Sequence, residues 1–385
     1  MKYVFKTSTY KILIIVVCGL LTLCGCDNQK DNIVQNDTVH ILRVIGLFPM
    51  TGPGASLGTY LYNGVTLAKD DLENTYRGKI KIDFEVIDTK NQPKEAISGL
   101  RSAISKQRPD AVITALSSVS NAVKPILESE GIFTVATTTA LNGLVQGTRN
   151  LVRVYPTADN FAEPIAQYAQ KKFGSVSVFY IHDDFGESVY NSFERYLFGS
   201  DTKIFPGDTY ELLQKDVRSL VSRTINKQSE AIYIIGYGPA YVNVIKQIRE
   251  ISPHTSILAD ISFPNPAVLK ALGEAGDGVI FDGTDAELTQ PKTEKARSFR
   301  TIYKNRFHQD PFMVAGFAYD SLTLITKSAI TKNGVTTPSK RRAISISPLD
   351  GIMGKICLNN EGESNISLKL MTKKDGKIIP IEFIR

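Results

Sequence analysis

The chain has 385 residues, 42% of them apolar and 22% charged, which points to two or three globular domains at about 150 residues each. That balance excludes wholesale disorder and a many-span membrane protein. The formal charge of +6 falls to +3 once Lys2, Lys6 and Lys11 are set aside, and the basic residues are scattered, so no nucleic acid is expected as partner.

Residues 1–11 are basic, and residues 12–25 form a fourteen-residue apolar run that ends at Cys26. Fourteen helical residues rise about 21 Å, short of the roughly 30 Å hydrocarbon core, so a signal peptide fits better than a membrane span. Leu23-Cys24-Gly25-Cys26 resembles the bacterial lipobox, with an aliphatic residue at −3, small residues next and the acylated cysteine last. We expect a signal peptide over 1–25, lipidation at Cys26 and a flexible polar tether over 26–38; an uncleaved signal anchor is the alternative. Several acyl chains on one cysteine anchor stably where a single chain holds only marginally. The protein is thus expected to be exported and held on the cell membrane, facing the periplasm or the exterior. Three of the four cysteines (Cys18, Cys24 and Cys26) crowd this leader, and Cys357 reads as structural, so there is no disulfide framework.

From Val39 onward, short β-branched runs alternate with amphipathic segments, the pattern of a parallel α/β architecture. Strands are expected over 40–48, 80–87, 111–115, 133–136, 176–181, 231–235, 256–259 and 279–282. Helices are expected over 60–74, 94–107, 122–130, 159–173, 187–197, 216–227, 240–251, 291–307 and 312–330. Residues 354–384 read instead as hairpins, with turns at Asn360-Glu361-Gly362 and Lys374-Asp375-Gly376. The number of strand–helix units is too large for one closed eight-fold barrel and suits two lobes of similar size.

Catalytic motifs are missing. In Thr51-Gly52-Pro53-Gly54-Ala55-Ser56-Leu57-Gly58 the glycines miss the dinucleotide spacing, no Lys-Ser/Thr pair follows, and Pro53 removes an N–H a phosphate would use. His40, His182, His254 and His308 have no metal-ligand spacing, and no G-x-S-x-G elbow is present. The acidic run at Asp183-Asp184 suits a helix N-terminus as well as acid–base work. We therefore expect neither an enzyme nor a cofactor nor a metal.

In open parallel sheets, ligands lie beyond the carboxyl ends of the strands. The loops there carry Ser117-Ser118, Thr137-Thr138-Thr139, Phe185, Tyr237 and Asp260. Ser117 and Ser118 read equally as a plain N-cap or as hydroxyls beside helix N–H groups that favour a carboxylate.

At this point a family resemblance becomes specific. Leu47-Phe48-Pro49-Met50-Thr51-Gly52-Pro53-Gly54 with Asn63-Gly64, Leu116-Ser117-Ser118 and His182-Asp183-Asp184-Phe185-Gly186 resemble landmarks of the periplasmic leucine/isoleucine/valine-binding protein family. So do Ile235-Gly236-Tyr237-Gly238-Pro239, Gly316-Phe317-Ala318-Tyr319-Asp320 and the closing Gly354-Lys355-Ile356 with Asp375-Gly376-Lys377. The resemblance implies two Rossmann-like lobes with parallel sheets joined by three crossovers, here near 155–159, 283–287 and 364–367. Lobe 1 would comprise 39–154 and 288–364, lobe 2 155–287 and 365–385. It also implies a ligand pocket. Ser117 matches the serine that holds a ligand carboxylate, with Ser118 beside it, and Thr138 falls where a backbone carbonyl meets the ammonium. Ala140 stands in for a second threonine, a role Thr139 takes only after a one-residue shift. Phe185 replaces a tyrosine, Tyr237 matches an aromatic of the second lobe, and Leu57 takes a position often aromatic. Asp260 lies next to the acid that pairs the ammonium.

The expected function is a solute-binding lipoprotein of an ABC-type importer, a monomer that closes on a small polar ligand and docks on the membrane permease. An amino acid is expected, with an amide, a short peptide or an aromatic acid open; the chain has no tryptophan to stack a sugar. The alternative is a sensing lipoprotein that acts on a membrane sensor or an envelope enzyme.

Overall fold

The computed structural model describes residues 39–284, 288, 291–331, 334–335 and 348–382. The leader over 1–25, Cys26, the tether over 26–38 and positions 285–287 of the second expected crossover lie outside the described residues.

The first sheet contains β1 (His40–Phe48), β2 (Ile80–Asp88), β3 (Ala111–Ala115), β4 (Phe133–Thr137) and β5 (Leu151–Arg153), all parallel, in the order β2-β1-β3-β4-β5. Its connecting helices are α1 (Ala55–Thr75), α2 (Pro93–Lys106) and α3 (Ser117–Ser129). Helices on both faces bury both sides of a strand, and β3 and β4 are buried at every position. The edge strand β2 instead alternates buried and exposed positions at its start.

After β5 the chain crosses into α4 (Ala158–Lys172), β6 (Ser175–Ile181), α5 (Asp184–Leu197), β7 (Lys203–Tyr210), α6 (Arg218–Ile225) and β8 (Ala231–Ile235). It continues through α7 (Gly238–Ile251), β9 (Ser256–Ala259), α8 (Pro266–Leu272) and β10 (Ile280–Thr284), then returns as α9 (Glu294–Phe307) and α10 (Met313–Ala329). Two small hairpins follow, β11 (Ile330–Thr331) with β12 (Gly334–Val335) and β13 (Leu349–Gly351) with β14 (Gly354–Ile356). The hairpin β15 (Leu368–Lys374) and β16 (Lys377–Pro380) then adds antiparallel to β10, giving a second sheet in the order β16-β15-β10-β9-β8-β6-β7. The molecule is thus two lobes of mostly parallel sheet, and the chain passes between them after β5, after β10 and after β14.

Two contacts account for landmarks of the sequence. A Cβ on Gly64 would stand 2.1 Å from the Ala315 carbonyl oxygen, so α1 and α10 meet backbone to backbone at that point. Asp320, fully buried on α10, accepts the N–H groups of Ile352 and Met353 at 2.7 and 2.9 Å and so holds the turn between β13 and β14.

Several elements depart from expectation. The strands β5 and β7 and the helix α8 are not expected from pattern. β7 is an edge strand with Pro206 and Gly207 inside it, residues that read as a loop and survive only where no second neighbour needs the N–H. β5 has three residues and α8 seven, too few to show a period. α1 and α3 each begin five residues earlier than expected, directly at the strand-end loops. The turn at Asp375-Gly376 joins β15 to β16; Asn360-Glu361-Gly362 closes only a single bridge, Leu358 to Ser364.

Candidate functional site

The site is built on the ends of β3 and β4. Leu116 takes φ 68° and ψ 141°, and Thr138 takes φ 46°, both unusual for residues with a side chain. The Leu116 N–H donates to the Thr138 carbonyl at 3.3 Å, so the two strained positions brace each other. Strain of this kind persists where a loop must aim specific groups. Here it corrects the N-cap reading of the serines. Leu116 is the N-cap of α3, and Ser117 and Ser118 are its first two helical residues. Ser117 Oγ accepts the Ala140 N–H at 3.3 Å, and Ser118 Oγ accepts the Asp184 N–H, also at 3.3 Å.

A central cavity of about 40 Å³ lies between the lobes, and Leu57, Ser117, Thr138, Phe185 and Tyr237 all line it. Tyr155, Ser262, Phe312 and Met313, not singled out from the sequence, complete much of its wall. Tyr155 sits in the expected first crossover and Phe312 just ahead of an apolar helix, so the available signal was proximity to a turn, without a motif. Thr138 Oγ1 is buried and has no hydrogen-bond partner among the described residues. A lone buried hydroxyl costs free energy unless something meets it. Further donors are the Ser117 hydroxyl, on the cavity wall, and the first N–H groups of α3, which have no intrahelical acceptor.

The remaining three expected residues lie elsewhere. Thr139 is fully buried inside lobe 1, its hydroxyl bonded to Ser120 Oγ at 2.8 Å and to the Thr137 carbonyl at 3.0 Å. Ser118 faces α5 across the lobe boundary. Asp260 stands behind the wall, fully buried. Its Oδ2 accepts the Gly236 N–H at 2.5 Å and its Oδ1 the Ser262 N–H at 2.7 Å. Burial pushes its carboxyl up to about 7 against those two donors.

Opposing loops meet across the cleft. Asn91 Nδ2 donates to Tyr237 Oη at 3.0 Å, and Tyr237 Oη donates to Asp183 Oδ2 at 2.6 Å. Asp183 caps α5 with its other oxygen, which accepts the N–H groups of Phe185 and Gly186. Burial raises the Asp183 carboxyl, and these donors oppose the rise. Asn121 to Asp184 at 3.0 Å and Asn142 N–H to Ser188 Oγ at 3.1 Å add further bridges. Asp183 and Asp260 thus both accept hydrogen bonds from neighbouring groups of the protein, and none of the described residues lining the cavity carries a carboxylate.

Arg153, at the end of β5, supports the floor. Its guanidinium pairs bidentately with Glu363 at 2.7 and 2.6 Å, and Nη1 donates to the Thr139 and Leu141 carbonyls on either side of Ala140. Among the described residues no group of His, Cys, Asp and Glu is arranged to hold a metal, and no helix is long and apolar enough to cross a membrane.

Comparison with known proteins agrees with this architecture. The sequence profile of a periplasmic binding protein family matches residues 42–368. The Leu/Ile/Val-binding protein BraC3 of Rhizobium johnstonii is 24% identical over 356 residues, covering 89% of this chain and 95% of its own length. Among solved structures, a leucine-binding protein of Thermotoga maritima superposes with a TM-score of 0.80 at 21% identity, covering 89% of this chain and 98% of that one. The substrate-binding protein LivJ of Streptococcus pneumoniae, solved with isoleucine, gives 0.78 at 20% identity over 88% of this chain and 98% of its own. A solute-binding protein of R. palustris, solved with benzoate, gives 0.82 at 17% identity over 89% and 96%.

Proposed function

The chain belongs to the periplasmic binding protein family, and from that premise we propose that it captures a small carboxylic acid without an α-ammonium for an ABC-type importer. One observation carries the choice of ligand. The cavity offers hydroxyls, helix N–H groups and aromatic faces, while Asp260, the acid expected to meet an ammonium, lies outside its lining and is held by the N–H groups of Gly236 and Ser262. A buried ammonium without an acceptor costs several kcal/mol; a carboxylate at Ser117 and Thr138 finds donors already in place. The benzoate held by the R. palustris relative belongs to the chemical class favoured here, and the isoleucine of the S. pneumoniae relative does not.

The mechanism is closure. The lobes part to admit the solute, its carboxylate meets the first turn of α3, Phe185 and Tyr237 cover it from lobe 2, and the closed form docks on the permease. Selection of the closed form needs contacts that the open form lacks, and groups from both lobes around one cavity supply them. Acyl chains on Cys26 would keep the protein at the membrane beside its importer.

Calorimetry on matched pairs tests the ligand class: leucine against 4-methylpentanoate, and phenylalanine against 3-phenylpropionate. The member without the ammonium is expected to bind more tightly in each pair. Thr138→Val, which keeps the shape and removes the hydroxyl, should weaken that acid by about tenfold. Tighter binding of the amino acids would overturn the choice.

A further inference from the structure

The central cavity is small, and a larger space continues from it. A larger cavity of about 450 Å³ adjoins it, and the two share Leu57, Tyr237, Ser262 and Phe312 in their walls. This annex runs between α7 and α8, with Val242, Val268 and Ala271 along its sides. Its size is that of a binding site for a whole small molecule. A second cleft beside His182 and Glu211 shares no wall residue with the central cavity, so the annex, which does, is the continuation for an extended solute.

The annex contains a single charged side chain, that of Lys246. Val242 and Lys246 are four residues apart on α7 and so share a face of the helix. Lys246 is half-buried and makes no ion pair with any described residue. A half-buried ammonium in a mostly apolar wall, with no carboxylate lining the same space, is set to receive an anion.

We propose that the solute is an elongated acid with an anionic group at each end. One carboxylate lies at Ser117 and Thr138, the apolar middle passes between Leu57, Tyr237 and Phe312, and the far carboxylate meets Lys246. The inference rests on the acid-capture reading of the central cavity and extends it to the length and second charge of the ligand.

Calorimetry on the full-length chain in detergent with octanoate, its dicarboxylate counterpart suberate and the short 4-methylpentanoate tests this. Suberate should bind about tenfold more tightly than octanoate, the worth of one charge-assisted hydrogen bond. Lys246→Met, which keeps the apolar stem, should remove that advantage while leaving 4-methylpentanoate affinity and the melting temperature unchanged. If 4-methylpentanoate binds and suberate gains nothing over octanoate, or if the gain survives Lys246→Met, the dicarboxylate inference fails and acid capture stands. If leucine binds and none of the acids does, both fail.

Discussion

Asp260 shows how a residue can sit in a legible place and play a different part. Its position at the end of β9 marks it for the cleft, and its burial is complete. What the sequence does not contain is the direction of the neighbouring N–H groups of Gly236 and Ser262, which turn the carboxylate into a brace for the Tyr237 loop. A Cβ on Gly236 would lie 1.9 Å from Tyr210 Oη at a φ of +155°, so only glycine fits at that point of the loop. Strand-end position marks the Ser117-Ser118 and Thr137-Thr138-Thr139 loops, and the family resemblance singles out Ser117 and Thr138 within them; Tyr155, Ser262 and Phe312 carry no such mark, because only the folded chain brings them to the cavity. The pH dependence of stability follows from Asp260. Its folded carboxyl titrates near 7 against 3.8 when exposed, so between those values the folded state holds more protons than the unfolded one. Its contribution is full below about 3.8 and is lost as pH rises through about 7. Thermal melts should show lower stability at pH 8 than at pH 5, and Asp260→Asn should flatten that decline, though Asp320, also near 7, preserves part of it. Equal slopes in wild type and variant would show that Asp260 does not titrate in this range.

The strand–helix alternation was legible wherever an element was long or buried on both faces, because period and β-branching then dominate the pattern. Short elements escaped. β5 is the instructive case: three residues ending in Arg153 contain too little pattern to be recognised, yet they position the crossover. Arg153 is fully buried, and burial alone would favour its neutral form, which Glu363 opposes. Through Glu363 it ties β5 to the turn ahead of β15, and through Nη1 it holds the loop that carries Thr138. Arg153→Met should cost about 3 kcal/mol, since removing one partner leaves Glu363 and two carbonyls without their donor. Arg153→Lys should not restore it, because an ammonium cannot reproduce the bidentate fork. Urea unfolding checks both; a midpoint unchanged in Arg153→Met would remove the pair from any supporting role.

At the scale of the whole molecule, function depends on how firmly the lobes hold together without help. Among the described residues the side-chain bridges between them run from Asn91 to Tyr237, from Asn121 and Ser118 to Asp184, and from Asn142 to Ser188, Ser192 and Asp159. Each such bond contributes about 1 kcal/mol net, which offsets little more than the ordering of the loops that make it. The cavity of about 40 Å³ has room for a few waters, so a six-carbon acid does not fit within it unless its walls move apart. On the proposed reading a solute that touches both walls tips the balance, and capture and closure become one event. Small-angle X-ray scattering of the chain with and without saturating 4-methylpentanoate tests this most directly. The account predicts a smaller radius of gyration with the acid than without it, and superimposable curves at a concentration where calorimetry shows saturation would contradict it.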